Sequence, residues 1–187
     1  MITPNEIKQK AERKYIAYLQ STIAGNSFFP LVIVGNKKPD ENAVRFENEL
    51  TELINHSYEK KGENEPYTVG YIGVVRYKKQ MINLLEAAKR TGVKLLIAGY
   101  EEGPAEIEAL CAQDPNITWV GGFDFASQAA KLYGKCDVMY SVYDADMHNV
   151  QVALPNKLYE AVYCELPLIV ARGTYLAELV EEWGIGV

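Results

Sequence analysis

From residue 67 onward, short apolar segments alternate with amphipathic segments almost without a break. The apolar segments are rich in β-branched residues, which is typical of parallel strands covered on both faces. Strands are predicted at 67–72, 94–98, 117–120, 138–142 and 166–171. Helices are predicted at 79–90, 104–112, 126–133, 155–164 and 174–182. This alternation predicts an α/β fold with a doubly wound, Rossmann-like parallel sheet.

Residues 1–66 follow a different pattern, and we predict a helical or linker segment with one strand, packed on the domain or preceding it. A capping box opens a helix expected at 3–19, and a buried strand is expected at 31–34. An amphipathic helix is expected at about 41–60. The domain itself is predicted at residues 67–187. Because its last three residues resemble the start of another strand, we expect it to be truncated at its C-terminus.

The charge, the cysteines and the hydropathy of the chain exclude several functional classes. The net charge of -6 disfavours a nucleic-acid partner, because an acidic surface repels a phosphate backbone. The three cysteines show neither C-x-x-C spacing nor a histidine cluster, so neither a zinc site nor a disulfide is predicted. No stretch approaches the roughly 18 apolar residues of a membrane span, and the N-terminus is too polar for a signal peptide. We therefore expect a cytoplasmic protein.

Glycine and basic residues stand directly after the first predicted strand of the domain. Gly73 ends the segment 67–72 and precedes Arg76 and Lys79. Ligands of open parallel sheets bind at the carboxyl ends of the strands, where loops lead into helix N-termini. A second such loop leads to Pro155, and the amide groups of the helix expected there favour an anion. We therefore expect a phosphate-bearing ligand at this edge of the sheet.

The residues after the proline at 155 admit two interpretations. In the first, Lys157 donates a hydrogen bond to a phosphate and Glu160 accepts hydrogen bonds from a ribose diol. In the second, the two side chains form an ordinary surface ion pair, one helical turn apart. Tyr100 and Tyr143 stand in neighbouring loops, where an aromatic ring can stack on a base.

Three stretches in the same order resemble the C-terminal domain of the family-four glycosyltransferases, which include many capsule, O-antigen and lipopolysaccharide transferases. They are VGYIGVVRYKKQMINLLEAAKR at 69–90, VKLLIAGYEEGPAEIEAL at 93–110 and ALPNKLYEAVYCELPLIV at 153–170. The resemblance implies one half of a GT-B fold that binds a nucleotide-diphosphate sugar. It also implies transfer with retention of anomeric configuration and without a bound metal or cofactor.

The resemblance assigns roles to individual residues of this sequence. Lys79 matches a lysine that neutralises the diphosphate, and Gly73 matches a glycine that lets the backbone approach the donor. Asn156 and Lys157 match residues at a helix start near the diphosphate. Glu160 matches the second glutamate of a Glu-x7-Glu motif, which holds the ribose hydroxyls. Under this interpretation the lysine at 79 and the arginine at 76 are catalytic, because they stabilise charge on the leaving diphosphate with help from the lysine at 157.

Two positions depart from the family pattern. The first glutamate of the motif is replaced by Val152, which puts the contact to the transferred sugar in doubt. The family's arginine after the loop glycine is replaced by Val74, and Arg76 is the proposed substitute.

An Asp-x-Asp at 144–146, followed by His148, offers carboxylates and an imidazole to a divalent cation. That pattern is short and common in loops, and the surrounding sequence resembles the metal-free fold, so no metal is predicted.

The resemblance thus predicts a donor domain whose saccharide or lipid-linked acceptor is bound by a missing N-terminal domain. We expect the isolated chain to be inactive as a hexosyltransferase, and the resemblance leaves open peripheral attachment of the full-length enzyme to the inner face of the membrane. Three alternatives remain: a non-catalytic nucleotide-sugar-binding module, a nucleotide-sugar epimerase of the same fold, and a flavodoxin-like interaction domain. P-loop and nicotinamide enzymes are disfavoured, because the chain lacks their glycine motifs.

Overall fold

A computed structural model of the chain describes residues 58–187. The elements predicted at 3–19 and 31–34, and most of the helix predicted at 41–60, lie outside the described residues. The strands are β1 (Thr68–Ile72), β2 (Lys94–Ala98), β3 (Ile117–Gly121), β4 (Val138–Ser141) and β5 (Leu168–Val170). The helices are α1 (Lys78–Thr91), α2 (Glu106–Cys111), α3 (Phe125–Gly134), α4 (His148–Val152), α5 (Asn156–Tyr163) and α6 (Tyr175–Trp183).

The five strands form one parallel sheet in the order β3-β2-β1-β4-β5. β1 lies in the centre, where Thr68 is in register with Lys94 of β2 and Val69 is in register with Val138 of β4. The chain winds from β1 to β3 in one direction and continues from β4 to β5 in the other. The predicted α/β fold with a doubly wound parallel sheet is therefore confirmed.

Hydrophobic cores lie on both faces of the sheet, because successive strand residues point to opposite sides. On β1, Tyr71 belongs to the core under α1 and α2, while Ile72 belongs to the core under α3, α5 and α6. Ile97 and Leu96 of β2 divide between the same two cores. Burial on both faces explains why β1, β2 and β4 are nearly continuous buried runs, whereas residues of the edge strand β3 alternate between half-buried and exposed.

The start of the described segment packs against the domain. Lys61 donates its backbone N–H to the carbonyl oxygen of Gly134 at 2.9 Å, and its ammonium group pairs with Asp137. The Tyr58 hydroxyl donates to the carbonyl oxygen of Cys164 at 2.8 Å. These contacts reach α3, β4 and the end of α5, so residues 58–61 are tied to the body of the domain.

One helix was missed by the sequence analysis, and three begin one or two residues later than predicted, among them α6, which begins at Tyr175 instead of residue 174. Residues 148–152 form α4, although they were assigned to a loop. The helix predicted from residue 104 begins at Glu106, where the Glu101 carboxylate accepts a hydrogen bond from the Ile107 amide at 2.9 Å. The helix predicted from Pro155 begins at Asn156, because the proline has an extended conformation (ψ 153°) and occupies the N-cap position.

The last three residues lie beside β5. The Leu168 amide donates to the carbonyl oxygen of Ile185, and the Val187 amide donates back to the carbonyl oxygen of Leu168, both at 2.9 Å. Leu168 and Gly186 form a parallel bridge. The strand-like pattern of residues 185–187 therefore reflects their pairing with β5 at the edge of the sheet. Between residues 58 and 187, no helix has the length and apolar character that a bilayer crossing requires.

Candidate functional site

A cleft of about 290 Å³ opens at the carboxyl end of the sheet. It lies where β1 and β4 are neighbours and the winding direction reverses, which is the expected ligand position in an open parallel sheet. Its lining comes from the loops after β1, β4 and β5 and from α4 and the start of α5. The lining residues are Val74, Arg76, Tyr77, Ser141, Tyr143, Asn149, Val150, Ala153, Pro155, Lys157, Ala171, Thr174 and Leu176.

The Lys157 ammonium group brings positive charge into this cleft. Its Nζ lies 4.9 Å from the centroid of the Tyr71 ring and 5.8 Å from that of Tyr143. Aromatic faces at such distances stabilise a cation without neutralising it. Within the described residues, no carboxylate lies within ion-pair distance of this ammonium group, and no lining residue of the cleft is acidic. The charge is therefore available to an anionic ligand.

The absence of a side chain at Gly73 leaves room for the ammonium group of Lys157. A β-carbon at residue 73 would lie 2.6 Å from Lys157 Nζ, and the φ of 137° favours glycine in any case. The Gly73 amide donates to the carbonyl oxygen of Ala98 at 2.7 Å. Gly99 has a φ of 145°, and a β-carbon there would lie 1.9 Å from the Gly73 carbonyl oxygen. The loops after β1 and β2 are thus packed backbone against backbone beside the cleft.

Arg76 lines the cleft mouth but is already engaged. Its Nε donates to the Glu102 carboxylate at 2.8 Å, and both side chains are about half exposed. The hydrogen bond to Glu102 raises the pKa of Arg76 further above its ordinary value. Exposed ion pairs contribute roughly 0–1 kcal/mol, so a bound anion can compete for this guanidinium.

The two lysines at the start of α1 have different surroundings. The Lys78 ammonium lies 3.2 Å from carboxylates of both Glu101 and Glu106. Lys79 is exposed, has no ion pair within the described residues and does not line the cleft. The structure therefore brings Arg76 and Lys157 together at the cleft, with Lys79 outside its lining.

The N-terminus of α5 faces the cleft through Pro155 and Lys157. The first amides of a helix have no partner within the helix, and they carry the positive end of its dipole. Leu158 donates its amide to the Pro155 carbonyl oxygen at 3.0 Å, which closes the first turn. Asn156 is exposed and lies outside the lining. This helix start adds to the positive potential that Lys157 creates.

Glu160 lies one turn beyond Lys157 but faces the interior. Its side chain is buried, and it accepts a hydrogen bond from the Tyr133 hydroxyl. Burial raises the pKa of Glu160, while the hydrogen bond from Tyr133 and the charge of Lys157 partly offset that effect. The alternative of an exposed ion pair between positions 157 and 160 does not describe this arrangement. Glu160 is also absent from the residues that line the cleft.

Tyr143 connects the cleft to the aromatic residues around it. Its ring lies 5.4 Å from that of Tyr77 at an angle of 58°, and its hydroxyl accepts a hydrogen bond from Ser141 at 3.0 Å. Tyr143 therefore adds an aromatic surface to the cleft lining, and its stacking on a base stays a prediction. Tyr100 is 57% exposed and lies outside the cleft.

The cleft also contains residues that the sequence analysis missed. Asn149 and Thr174 line it, on α4 and at the start of α6 respectively. Positions 149, 150 and 153 follow helical spacing, but three positions are too few to identify a helix from the sequence. Val152, at the position of the missing glutamate, is exposed and outside the lining. Within residues 58–187, no group of three or more histidine, cysteine or acidic side chains is arranged to hold a metal.

One comparison with known proteins identifies the family of the chain. The model of the family described as "Glycosyl transferases group 1" matches residues 54–187. Among solved structures, the chain is similar to the crystal structure of AviGT4, a glycosyltransferase involved in avilamycin A biosynthesis, with a TM-score of 0.49 and 16% identity. That similarity covers 67% of this chain and 38% of the other, so the chain spans less than half of its length. A comparison with curated proteins gave no match.

Proposed function

Because the chain belongs to the group 1 glycosyl transferases, we propose that residues 67–187 are the donor-binding half of a GT-B enzyme. The donor is a nucleotide-diphosphate sugar, and a hexosyl unit passes to a saccharide or lipid-linked acceptor with retention of configuration. An N-terminal domain would bind the acceptor. The enzyme would act in the cytoplasm, in polysaccharide biosynthesis of the capsule or O-antigen type.

The observation that carries this proposal is the positive, acid-free cleft at the carboxyl end of the sheet. Lys157 and the N-terminus of α5 converge there, at the point between β1 and β4 where such folds bind ligands. A diphosphate matches this arrangement, since it carries the negative charge that both features favour. The neighbouring rings of Tyr77 and Tyr143 provide apolar surface for the rest of the donor.

Catalysis would depend on charge in the transition state. Negative charge accumulates on the diphosphate as the bond to the sugar breaks, and fixed cations lower the energy of that state. Lys157 and Arg76, which both line the cleft, would supply this charge. Lys79 and Asn156, which the family resemblance also assigns to the diphosphate, would approach the donor from the cleft mouth. No metal or cofactor is part of the proposal, because the donor is itself the substrate.

One observation favours a second candidate, a module that binds nucleotide sugars without transferring them. Val152 replaces the motif glutamate, and its exposed side chain lies outside the cleft. A labelled donor separates the two functions. Transfer of the labelled sugar, or its release, by the longest natural form of the protein would exclude the module, whereas tight donor binding without turnover would exclude the transferase.

The proposal is tested by calorimetric titration of the chain with UDP, GDP, ADP and UDP-sugars. We expect saturable binding to one nucleotide class and at least a tenfold loss in Lys157→Ala, which corresponds to about 1.4 kcal/mol. The matched control is Lys131→Ala, because Lys131 is an exposed lysine of α3 outside the cleft. Absence of binding to every nucleotide by the folded protein would refute the proposal.

A further inference from the structure

A buried hydrogen bond joins two helices that are far apart in sequence. Tyr133 on α3 donates its hydroxyl to one carboxylate oxygen, Oε2, of Glu160 on α5. The tyrosine is completely buried and the glutamate is 6% exposed. Burial raises the pKa of the Tyr133 hydroxyl well above its ordinary value, so the phenol keeps its proton and acts as the donor. The contact therefore has a defined direction, from phenol to carboxylate.

The position of Glu160 relates this buried pair to the cleft. Residues three apart on a helix are neighbours on its surface, so Glu160 lies beside Lys157, which lines the cleft. A carboxylate has two oxygens and about four acceptor positions, of which a single phenol occupies one. Oε2 accepts the hydrogen bond from Tyr133, and no side chain or amide among residues 58–187 donates a hydrogen bond to Oε1. The small exposed fraction of Glu160 shows that its burial is not complete.

We propose that Tyr133 is a positioning residue, which holds the Glu160 carboxylate so that its second oxygen accepts hydrogen bonds from the ribose hydroxyls of a bound nucleotide. This inference rests on the proposed function. A glutamate side chain has several rotamers, and fixing one of them before the ligand arrives avoids an entropic cost of binding. Tyr133 would thus act through Glu160 without contacting the nucleotide.

The residue type at position 133 agrees with this role. The Tyr133 ring packs in the core formed by α3, α5 and α6, where a phenylalanine would bury the same apolar surface. Only the hydroxyl distinguishes the two residues, and its recorded partner is Glu160. Tyr133→Phe is therefore a conservative change that removes the positioning contact while it preserves the ring.

The test compares nucleotides that differ in the ribose alone. Affinities for UDP, GDP and ADP are measured by calorimetry, together with those for the 2′-deoxy and 3′-deoxy forms of the nucleotide that binds best. A hydrogen bond to a charged group is worth about 1.5–3 kcal/mol, so the wild-type protein should prefer the ribonucleotide by roughly ten- to hundredfold. In Tyr133→Phe this preference should fall to about threefold or less.

The matched control is Tyr140→Phe. Tyr140 is also a buried tyrosine, but its hydroxyl donates to the Gln80 carbonyl oxygen at 3.0 Å and contributes nothing to Glu160. This variant loses one tyrosine hydrogen bond, less deeply buried than that of Tyr133, and it should retain the wild-type preference for ribose. The preference for ribose is the ratio of two affinities measured on the same protein. A general loss of stability, which a purely structural role would cause, lowers both affinities and leaves their ratio unchanged.

Each outcome of this test either supports or overturns the positioning role of Tyr133. A folded Tyr133→Phe protein with the wild-type ribose preference would overturn the inference, and so would a wild-type protein that binds nucleotides without such a preference. In both cases the proposed function survives, whereas absence of all nucleotide binding overturns both. If Tyr133→Phe does not fold, Glu160→Asp replaces it as the test variant. Its side chain is one methylene group shorter, so the carboxylate lies farther from the unchanged Tyr133 hydroxyl. The same loss of preference is then expected, and its retention would contradict the inference.

Discussion

The ammonium group of Lys157 lies above Gly73, 2.6 Å from the place where a β-carbon would stand. The glycine is thus part of the cation site, since any other residue would displace the lysine or the loop. Gly73 is in turn packed against Gly99, whose missing side chain leaves room for the Gly73 carbonyl oxygen. The loops after β1 and β2 and the start of α5 therefore pack against each other through Gly73, Gly99 and Lys157.

We predict that Gly99→Ala lowers the free energy of unfolding more than Gly73→Ala does. Both positions have a positive φ, and that strain costs about 1–3 kcal/mol. At residue 73 the new methyl group meets the flexible end of Lys157, which can move away. At residue 99 it meets backbone at 1.9 Å, so two loops must separate. Urea denaturation measures both effects.

The control for backbone strain alone is Gly92→Ala. Gly92 has a φ of 72° at the end of α1, and a β-carbon there meets nothing within 4 Å. Gly99→Ala should therefore cost more than Gly92→Ala, because it adds the clash and because alanine adopts a φ of 145° less readily than one of 72°. Equal losses at residues 92 and 99 would show that the loops separate without cost, contrary to the tight packing described above.

The sheet and most helices were predictable because each rests on a local pattern. Apolar runs of four to six residues identify buried parallel strands wherever the flanking helices cover both faces. Helix α4 has only five residues, which is too short for a helical period to emerge from sequence. Its boundaries depend on the Met147 and Ala153 conformations, which flanking contacts determine.

The candidate site was predictable only in part. Gly73 and Lys157 follow strand and helix signals in the sequence, and the fold brings them together. The bond between Tyr133 and Glu160 joins residues 27 positions apart, and no local pattern reports such a contact. The sequence places Tyr133 at a core-facing position of its helix, and that pattern indicates packing alone. Long-range side-chain pairing has to come from the three-dimensional structure.

The ion pair between Arg76 and Glu102 leads to the prediction that a substitution increases the affinity for the nucleotide, whereas most substitutions near a binding site decrease it. Glu102→Gln should strengthen nucleotide binding by about two- to threefold, because it frees the guanidinium at the cleft mouth from an exposed ion pair worth a few tenths of a kcal/mol. Calorimetric titration with the best nucleotide measures the change. Glu86→Gln, on the exposed side of α1, changes the net charge equally and should have a smaller effect. Equal gains in both variants would attribute the effect to net charge alone.

Thr174 is expected to contribute to stability as the N-cap of α6. Its Oγ1 accepts a hydrogen bond from the Ala177 amide at 3.1 Å and donates to the Ala171 carbonyl oxygen at 2.8 Å. Thr174→Val keeps the shape and loses both bonds, so the free energy of unfolding should fall by about 1 kcal/mol. Thr118→Val, at an exposed position of β3, is the control and should change stability little. A loss of similar size in both variants would argue against the cap.

Glu160 gives the fold a pH dependence whose sign follows from its burial. Burial raises its pKa in the folded protein above the ordinary glutamate value of about 4.5, so the folded state binds the proton more tightly than the unfolded state does. The contribution of Glu160 to stability is therefore fully present below about pH 4.5 and is lost as the pH rises through the folded pKa. Tyr133, Lys157 and Cys164 are the titratable groups that interact with this carboxyl.

Glu160→Gln should remove this dependence, because the amide is neutral at every pH and still accepts a hydrogen bond from Tyr133. Denaturation of both proteins between pH 4 and pH 8 gives the difference in their unfolding free energies. We expect the wild-type protein to lose stability relative to the variant as the pH increases, by at most about 1.4 kcal/mol per pH unit within the titration range. A difference that stays constant would mean that Glu160 titrates equally in the folded and unfolded states. A difference of the opposite sign would mean that Tyr133 and Lys157 outweigh burial and hold the carboxylate ionised.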